Sequence, residues 1–209
     1  MSKTEIVQKE LAKTPFYEKK DKPKPMNIEE ARVEIDKQIF EKQSGYMKSR
    51  ALYSHGKIWK SYKEFAYVGS KIGKILDLTK IDNKIKNIAK MLKNYKDQKI
   101  ILFSKNPNDM SIQQLAEILG CDIKSSYSAG NLTNTNVKDF LDIDLIFMFD
   151  FYSDYLIKDA IQLGLPIIAL VEPSNEESKG ITLFLPCNKY FRPARAFIAK
   201  QIATYYLES

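Results

Sequence analysis

From residue 74 onward, apolar residues come in two alternating patterns. Short apolar stretches read as strands: Lys74–Leu78, Lys99–Phe103, Asp122–Tyr127 (weakly), Leu145–Phe149 and Ile167–Val171, with Ile181–Leu185 a short extended piece. Between them, apolar residues return every third or fourth position, the period of a helix with one buried face. Thr79–Tyr95 carries Ile81, Ile85, Ile88, Leu92 and Tyr95 on one stripe and lysines opposite. Met110–Leu119 turns Ile112, Leu115, Ala116 and Leu119 inward and stops at Gly120. Asp154–Leu163 stops at Gly164, with Asp154 placed to cap it. Pro193 suits the first turn of a last helix that turns Phe197, Ile198, Ile202 and Tyr205 inward. Upstream, residues 27–44 predict a further helix. Asn27 and Glu30 have capping-box spacing, Ile28, Ala31, Ile35 and Ile39 share a face, and Gly45 is the expected stop.

The strand runs are apolar throughout and do not alternate. That pattern marks a parallel sheet covered on both faces. With right-handed crossovers it predicts an α/β fold, a three-layer α/β/α sandwich with a mostly parallel, Rossmann-like or flavodoxin-like sheet and an N-terminal extension. Three regions follow: a mixed-charge tail over 1–26, a helix and a basic aromatic segment over 27–73, and the α/β/α core over 74–209. The tail has Pro15, Pro23 and Pro25 and too few apolar residues to order itself without a partner.

At 209 residues, the chain is long enough to bury its core without metals or disulfides. No apolar run reaches membrane-spanning length, and the opening residues lack an apolar signal core. Two cysteines, Cys121 and Cys187, cannot build a disulfide scaffold or a zinc site, and the single histidine, His55, excludes mechanisms that need two. Charge changes the picture more. Residues 1–73 hold 16 Lys and Arg against 10 acids, residues 74–134 hold 10 against 6, and residues 135–209 hold 7 against 10. A basic front and an acidic rear suit a face turned toward a polyanion.

Sites in such folds lie beyond the carboxyl ends of the strands. A dinucleotide site needs a glycine-rich turn after the first strand, and Leu78-Thr79-Lys80 has none; no phosphate-binding GxxxxGK[ST] occurs. Asp77, Asp150 and Asp154 could gather around Mg²⁺, or simply cap a helix and solvate strand ends. Nothing brings Cys187 and His55 together as nucleophile and base. No cofactor and no metal is therefore expected. The segment over 46–73 remains. Tyr46, Tyr53, Trp59, Tyr62, Phe65 and Tyr67 stand among Lys48, Arg50, Lys57, Lys60, Lys63 and Lys71. Lysines meet phosphates and aromatics stack on bases, while the same aromatics can also pack onto the sheet.

Ala129-Gly130-Asn131-Leu132-Thr133-Asn134 resembles the Gly-Thr-Leu-Thr-Asn signature of the small-subunit ribosomal protein 2 family. Further matches follow in family order. Asp144–Asp150 is similar to its Pro-Asp-Leu-Ile-Ile-Val-x-Asp strand, and Asp159–Leu170 to its Glu-Ala-x-x-Leu-Gly-Ile-Pro-Val-Ile-Ala-Leu. Pro186-Cys187-Asn188-Lys189 is similar to its Pro-Cys-Asn-Asn-Lys, Ser54-His55-Gly56 to its His-x-Gly, and Ile75–Leu78 to its Ile-Ile-Asp-Leu. The likeness covers roughly residues 50–207. Only nine residues separate Asn134 from Asp144, too few for the helical hairpin that bacterial members insert there. Cys187 and Ile81–Ile85 resemble the archaeal and eukaryotic branch. Ser126 replaces a family Arg, Asp150–Asp154 lacks a Pro, Glu172-Pro173 stands for Asp-Thr, and Asn188 is single, so the member is divergent.

The resemblance implies a non-catalytic structural constituent of the small ribosomal subunit, touching its rRNA and neighbouring ribosomal proteins, with no membrane and no homo-oligomer. Its place would be the cytoplasm, with a mitochondrial ribosome as the other possibility. The RNA contacts expected are Lys57, Lys60, Lys63 and Lys71 from the basic aromatic segment, and Lys189, Arg192 and Arg195 at the start of the last helix. Asn131, Thr133 and Asn134 are expected to hold their loop first and touch RNA second. The competing expectation is an α/β enzyme that binds a phosphorylated small molecule at the strand ends.

Overall fold

A computed structural model describes residues 40–67 and 74–208 of the chain. The tail over 1–26, most of the helix expected over 27–44, and Lys71 lie outside the described residues. Residues 40–49 form helix α1, and Lys60–Phe65 a short 3-10 helix. There follow α2 (Leu78–Asn94), β1 (Ile100–Phe103), α3 (Met110–Leu119), β2 (Asp122–Lys124), β3 (Leu145–Met148), α4 (Asp154–Leu163), β4 (Ile167–Val171), β5 (Leu183–Pro186) and α5 (Arg192–Glu208). Among the described residues, no helix is long and apolar enough to cross a membrane.

The five strands make one all-parallel sheet in the order β2-β1-β3-β4-β5. This is the flavodoxin-like order, with its reversal between β1 and β3. Ile101, Ile146 and Ile167 stand in register across the middle, and every residue of β1, β3 and β4 is buried. The step from β1 through α3 runs one way along the sheet and the step from β3 through α4 runs the other. Right-handed crossovers therefore put α3 and α4 on opposite faces. Helices α2 and α3 both pack on α5, which makes one layer of the three. The other face holds α4 and the loop after β2, tied together by Asp159: its carboxylate accepts from the Tyr127 hydroxyl at 2.5 Å and the Gly130 N–H at 2.9 Å.

Both helix stops expected at glycine are present. Gly120 and Gly164 have φ of 64° and 69°, where a side chain would be strained. The next N–H in each case reaches back, from Cys121 to the Ala116 carbonyl and from Leu165 to the Ala160 carbonyl. Three other expectations need correction. Ser153, not Asp154, caps α4, its hydroxyl accepting from the Leu156 N–H; Asp154 sits in the first turn, beside the positive end of the helix. Lys74–Leu78 is not a strand of the sheet. Asp77 already caps α2, and Ile75 and Leu76 make only isolated antiparallel bridges with Tyr53 and Ala66. Gly45 does not stop α1, which runs on to residue 49. It lies where the Phe197 ring presses close, so that an added Cβ would sit 2.7 Å from it.

Asp82 ties α1, α2 and α5 together. Its carboxylate accepts from Lys42 (2.7 Å), Tyr46 (3.1 Å) and Tyr205 (2.7 Å), with Lys86 at 3.2 Å. Burial pushes this carboxyl up, but the Lys42 and Tyr205 hydrogen bonds and the lysine charges together hold it below 3.8. A depressed carboxyl stabilises the fold above its unfolded value and loses that contribution as pH falls through the folded value. Asp82→Ala should therefore lower the unfolding free energy by about 3 kcal/mol at neutral pH, since it strands the Tyr46 hydroxyl and the lysines. In urea titrations the gap to wild type should narrow below pH 3.8.

Candidate nucleic-acid interface

The basic aromatic segment is a strap over the carboxyl ends of β4 and β5. The Trp59 N–H donates to the Pro173 carbonyl, the His55 N–H to Glu172 Oε1 at 3.1 Å, and the Asn188 N–H to the Ala51 carbonyl. Gly56 is the residue that lets the strap lie this low: a Cβ there would meet Ser174 Cβ at 2.9 Å. The 3-10 turn then sorts its side chains by sequence spacing. Tyr62 and Phe65 are buried edge-on against Phe184, while Lys60 and Lys63, three residues apart, share the outer side. Lys57 is exposed as well, and so are Trp59 and Tyr67. Tyr62 and Phe65 thus pack onto the protein itself, while Trp59 and Tyr67 stay exposed beside the lysines.

The basic residues expected near the last helix divide differently. Lys189 is 1% exposed. Its ammonium is paired with Glu177 and lies over the Tyr152 and Tyr190 rings, at 5.7 and 5.5 Å from their centres. Arg195 is also buried, donating to the Lys189 and Tyr190 carbonyls and lying near Asp109 (3.5 Å) and Asp150 (3.6 Å). Arg192 alone of the three faces out, 3.6 Å from Asp109. Thr133 and Asn134 are exposed and Asn131 half-buried. Their loop is closed by backbone bonds from the Thr133 and Asn134 N–H groups to the Gly130 carbonyl, and Leu132 is buried beneath it.

At the reversal point between β1 and β3, a cleft of about 360 Å³ is lined by Lys105, Asn106, Asp109, Arg192 and Arg195. The acids here serve the protein itself. Asp150 accepts from the Lys105 N–H (2.8 Å) and the Asn106 amide (2.7 Å), and Asp109 caps α3. Among the described residues, no three His, Cys, Asp or Glu side chains gather as metal ligands. Burial pushes the Cys187 thiol far up and, with Asp122 adding to it, the Cys121 thiol up to about 12, so both are protonated near neutrality. Burial likewise raises the Glu172 carboxyl, which the His55 N–H, the His55 charge and the Ser54 hydroxyl only partly offset. Folded protein thus holds the Glu172 proton longer, and this group's contribution to stability falls as pH rises above 4.5.

Two basic features escape a reading by motif. Arg50 closes the turn after α1 with φ of 56°, rare for a residue with a side chain, and presents its guanidinium beside Phe191. Lys80, Lys86 and Lys90 stand exposed on α2, a signal present in their spacing but indistinguishable there from an ordinary solvated face.

No protein-family model matches the chain. Over 128 residues, 60% of its length, it is 28% identical to the small ribosomal subunit protein uS2 of Pyrobaculum calidifontis. It is 29% identical to that of Pyrobaculum aerophilum and 30% identical to that of Caldivirga maquilingensis over the same length. The matched stretch spans 59–61% of these three relatives.

Proposed function

As the chain is a divergent relative of the archaeal uS2 proteins, we propose that it is a structural constituent of a small ribosomal subunit, without catalytic activity, and that it works in translation in the cytoplasm. The observation that carries the reading is the match to uS2 proteins of several archaea. The strap with its outward lysines agrees with it. In this reading Lys57, Lys60, Lys63 and Arg192, with Lys71 from outside the described residues, neutralise rRNA phosphates and release counterions. Asn131, Thr133 and Asn134 present a loop already closed on itself to rRNA or to a neighbouring ribosomal protein. Lys189 and Arg195 act from below: their internal pairs set the shape of the turn that carries Arg192.

The competing enzyme reading rests on the cleft at the strand reversal. Most of its charge is committed to Asp109 and Asp150, which weakens it as a site for a phosphorylated substrate.

The test is a sucrose gradient of lysate in magnesium buffer, following the chain at rising salt. Co-migration with small subunits that survives moderate salt is the expected result. A chain that stays at the top of the gradient at every salt would end the ribosomal reading and turn attention to the cleft.

A further inference from the structure

Trp59, the single tryptophan of the chain, is 44% exposed. Among the described residues its indole N–H has no hydrogen-bond partner, and its ring makes no aromatic or cation–π pair. Tryptophan is highly buried on average, so an open one asks what covers it. The neighbouring rings of the strap are engaged within the protein, Tyr62 and Phe65 standing edge-on to Phe184.

The backbone under Trp59 is held in place. Its N–H donates to the Pro173 carbonyl at 2.8 Å, its carbonyl accepts from the Tyr62 N–H at 3.0 Å, and its φ of −63° and ψ of 157° are extended. An indole on a fixed backbone has only two side-chain torsions to lose on binding, so it presents a large flat face at little entropic cost. Ile58 is buried, while Lys57 and Trp59 on either side of it are exposed, the alternation of extended chain. Lys60 and Lys63 follow on the outer side of the 3-10 helix. None of these three lysines forms an ion pair with a described carboxylate.

That setting decides between two kinds of partner. The cores of protein interfaces are depleted in lysine. Sites for single-stranded nucleic acid instead set aromatic faces among cations that track the backbone. A base inside a duplex has no open face to offer, so the base that meets the indole is one splayed out of its stack.

We propose that Trp59 is a stacking platform for one unpaired RNA base, with Lys57 and Lys60 meeting the phosphates on either side of it. The proposal deepens the RNA-contact reading and rests on it.

The test uses the full chain, with its one tryptophan as the reporter. The probes are a single-stranded adenosine RNA of about eight nucleotides and a strand of the same length without bases. The strand with bases should quench the indole fluorescence and bind about 5- to 150-fold more tightly than the abasic one. Trp59→Leu should lose most of that preference, and Trp59→Phe should fall between. Both should keep the wild-type slope of affinity against salt, since no cation is lost. Lys57→Gln should weaken both strands and lower the slope. Thermal melts check that each variant keeps its fold, as the open ring leads one to expect. Salt-dependent binding of both strands alike, without quenching, would overturn the platform and leave the lysine interface standing. A preference for bases that survives in Trp59→Leu would overturn it as well and place the stacking on another ring. Binding of neither strand would overturn it and count against the RNA reading. Loss of small-subunit co-migration in Trp59→Leu would then assign the ring to a protein neighbour.

Discussion

Replacing Lys57, Lys60 and Lys63 together by glutamine should weaken binding to small-subunit rRNA about 100- to 500-fold at 0.1 M salt and leave the fold intact. The size follows from counterion release. Each lysine that neutralises one phosphate adds about 0.7–0.9 to the slope of log affinity against log salt. Three such contacts lower that slope by about 2–3, which near 0.1 M gives the factor stated. The fold should survive because these side chains face outward, while Tyr62, Phe65 and Ile58 of the same strap are buried and untouched. Filter binding across a salt series reads both numbers. A slope that does not change would show that the lysines are only solvated, whatever the absolute affinity.

Glu177→Ala should cost about 3 kcal/mol, as much as Asp82→Ala, without touching any outward charge. Glu177 accepts from the buried Lys189 ammonium and from the Glu172 N–H at 3.3 Å, and its own N–H donates to the Tyr62 hydroxyl at 3.2 Å. Removing the carboxylate strands a cation in the interior, with only the Tyr152 and Tyr190 faces and the more distant Glu172 to offset it. The urea midpoint should fall by about 1–2 M. Lys189→Met in the same chain should restore most of the loss, since taking out both charges of a buried pair is far cheaper than taking out one. If the double variant proves no more stable than Glu177→Ala, the cost lies in the loop around Glu177 and not in the ion pair.

The sheet was the easiest part to read. β1, β3 and β4 are buried on both faces, so apolarity alone marks them, and the glycines at 120 and 164 mark the helix ends through their backbone conformation. Lys74–Leu78 misled because three apolar residues in five have no period by which to tell a strand from a bridge and a helix start. Gly45 misled because glycine serves close approach as well as helix stops, and Phe197, which decides between them, lies 152 residues away. The family resemblance was carried by motifs in order, and the relatives agree with it. The candidate interface was suggested only by composition. A lysine looks the same in sequence whether it faces water or a buried carboxylate, so Lys189 and Lys57 could be told apart only once Glu177 and the turn before α5 were seen in place.

The strap also sets a timetable. His55 binds Glu172 from 117 positions earlier in the chain, Tyr62 meets Glu177 from 115 and the Arg50 carbonyl meets the Asn188 amide from 138. A ribosome adding about 5–20 residues each second needs roughly 6–28 s to make those partners after the strap has emerged. Through that interval Tyr62 and Phe65 have no β5 to cover, and α1 and α2 have no α5 to close against. Each nascent copy therefore carries an aromatic, basic segment that has its bridges to Ile75 and Leu76 but not the sheet it covers until residues 172–188 are made. Through that interval the exposed rings and lysines face the surroundings of the nascent chain, and only β4, β5 and the turn before α5 take the rings out of water.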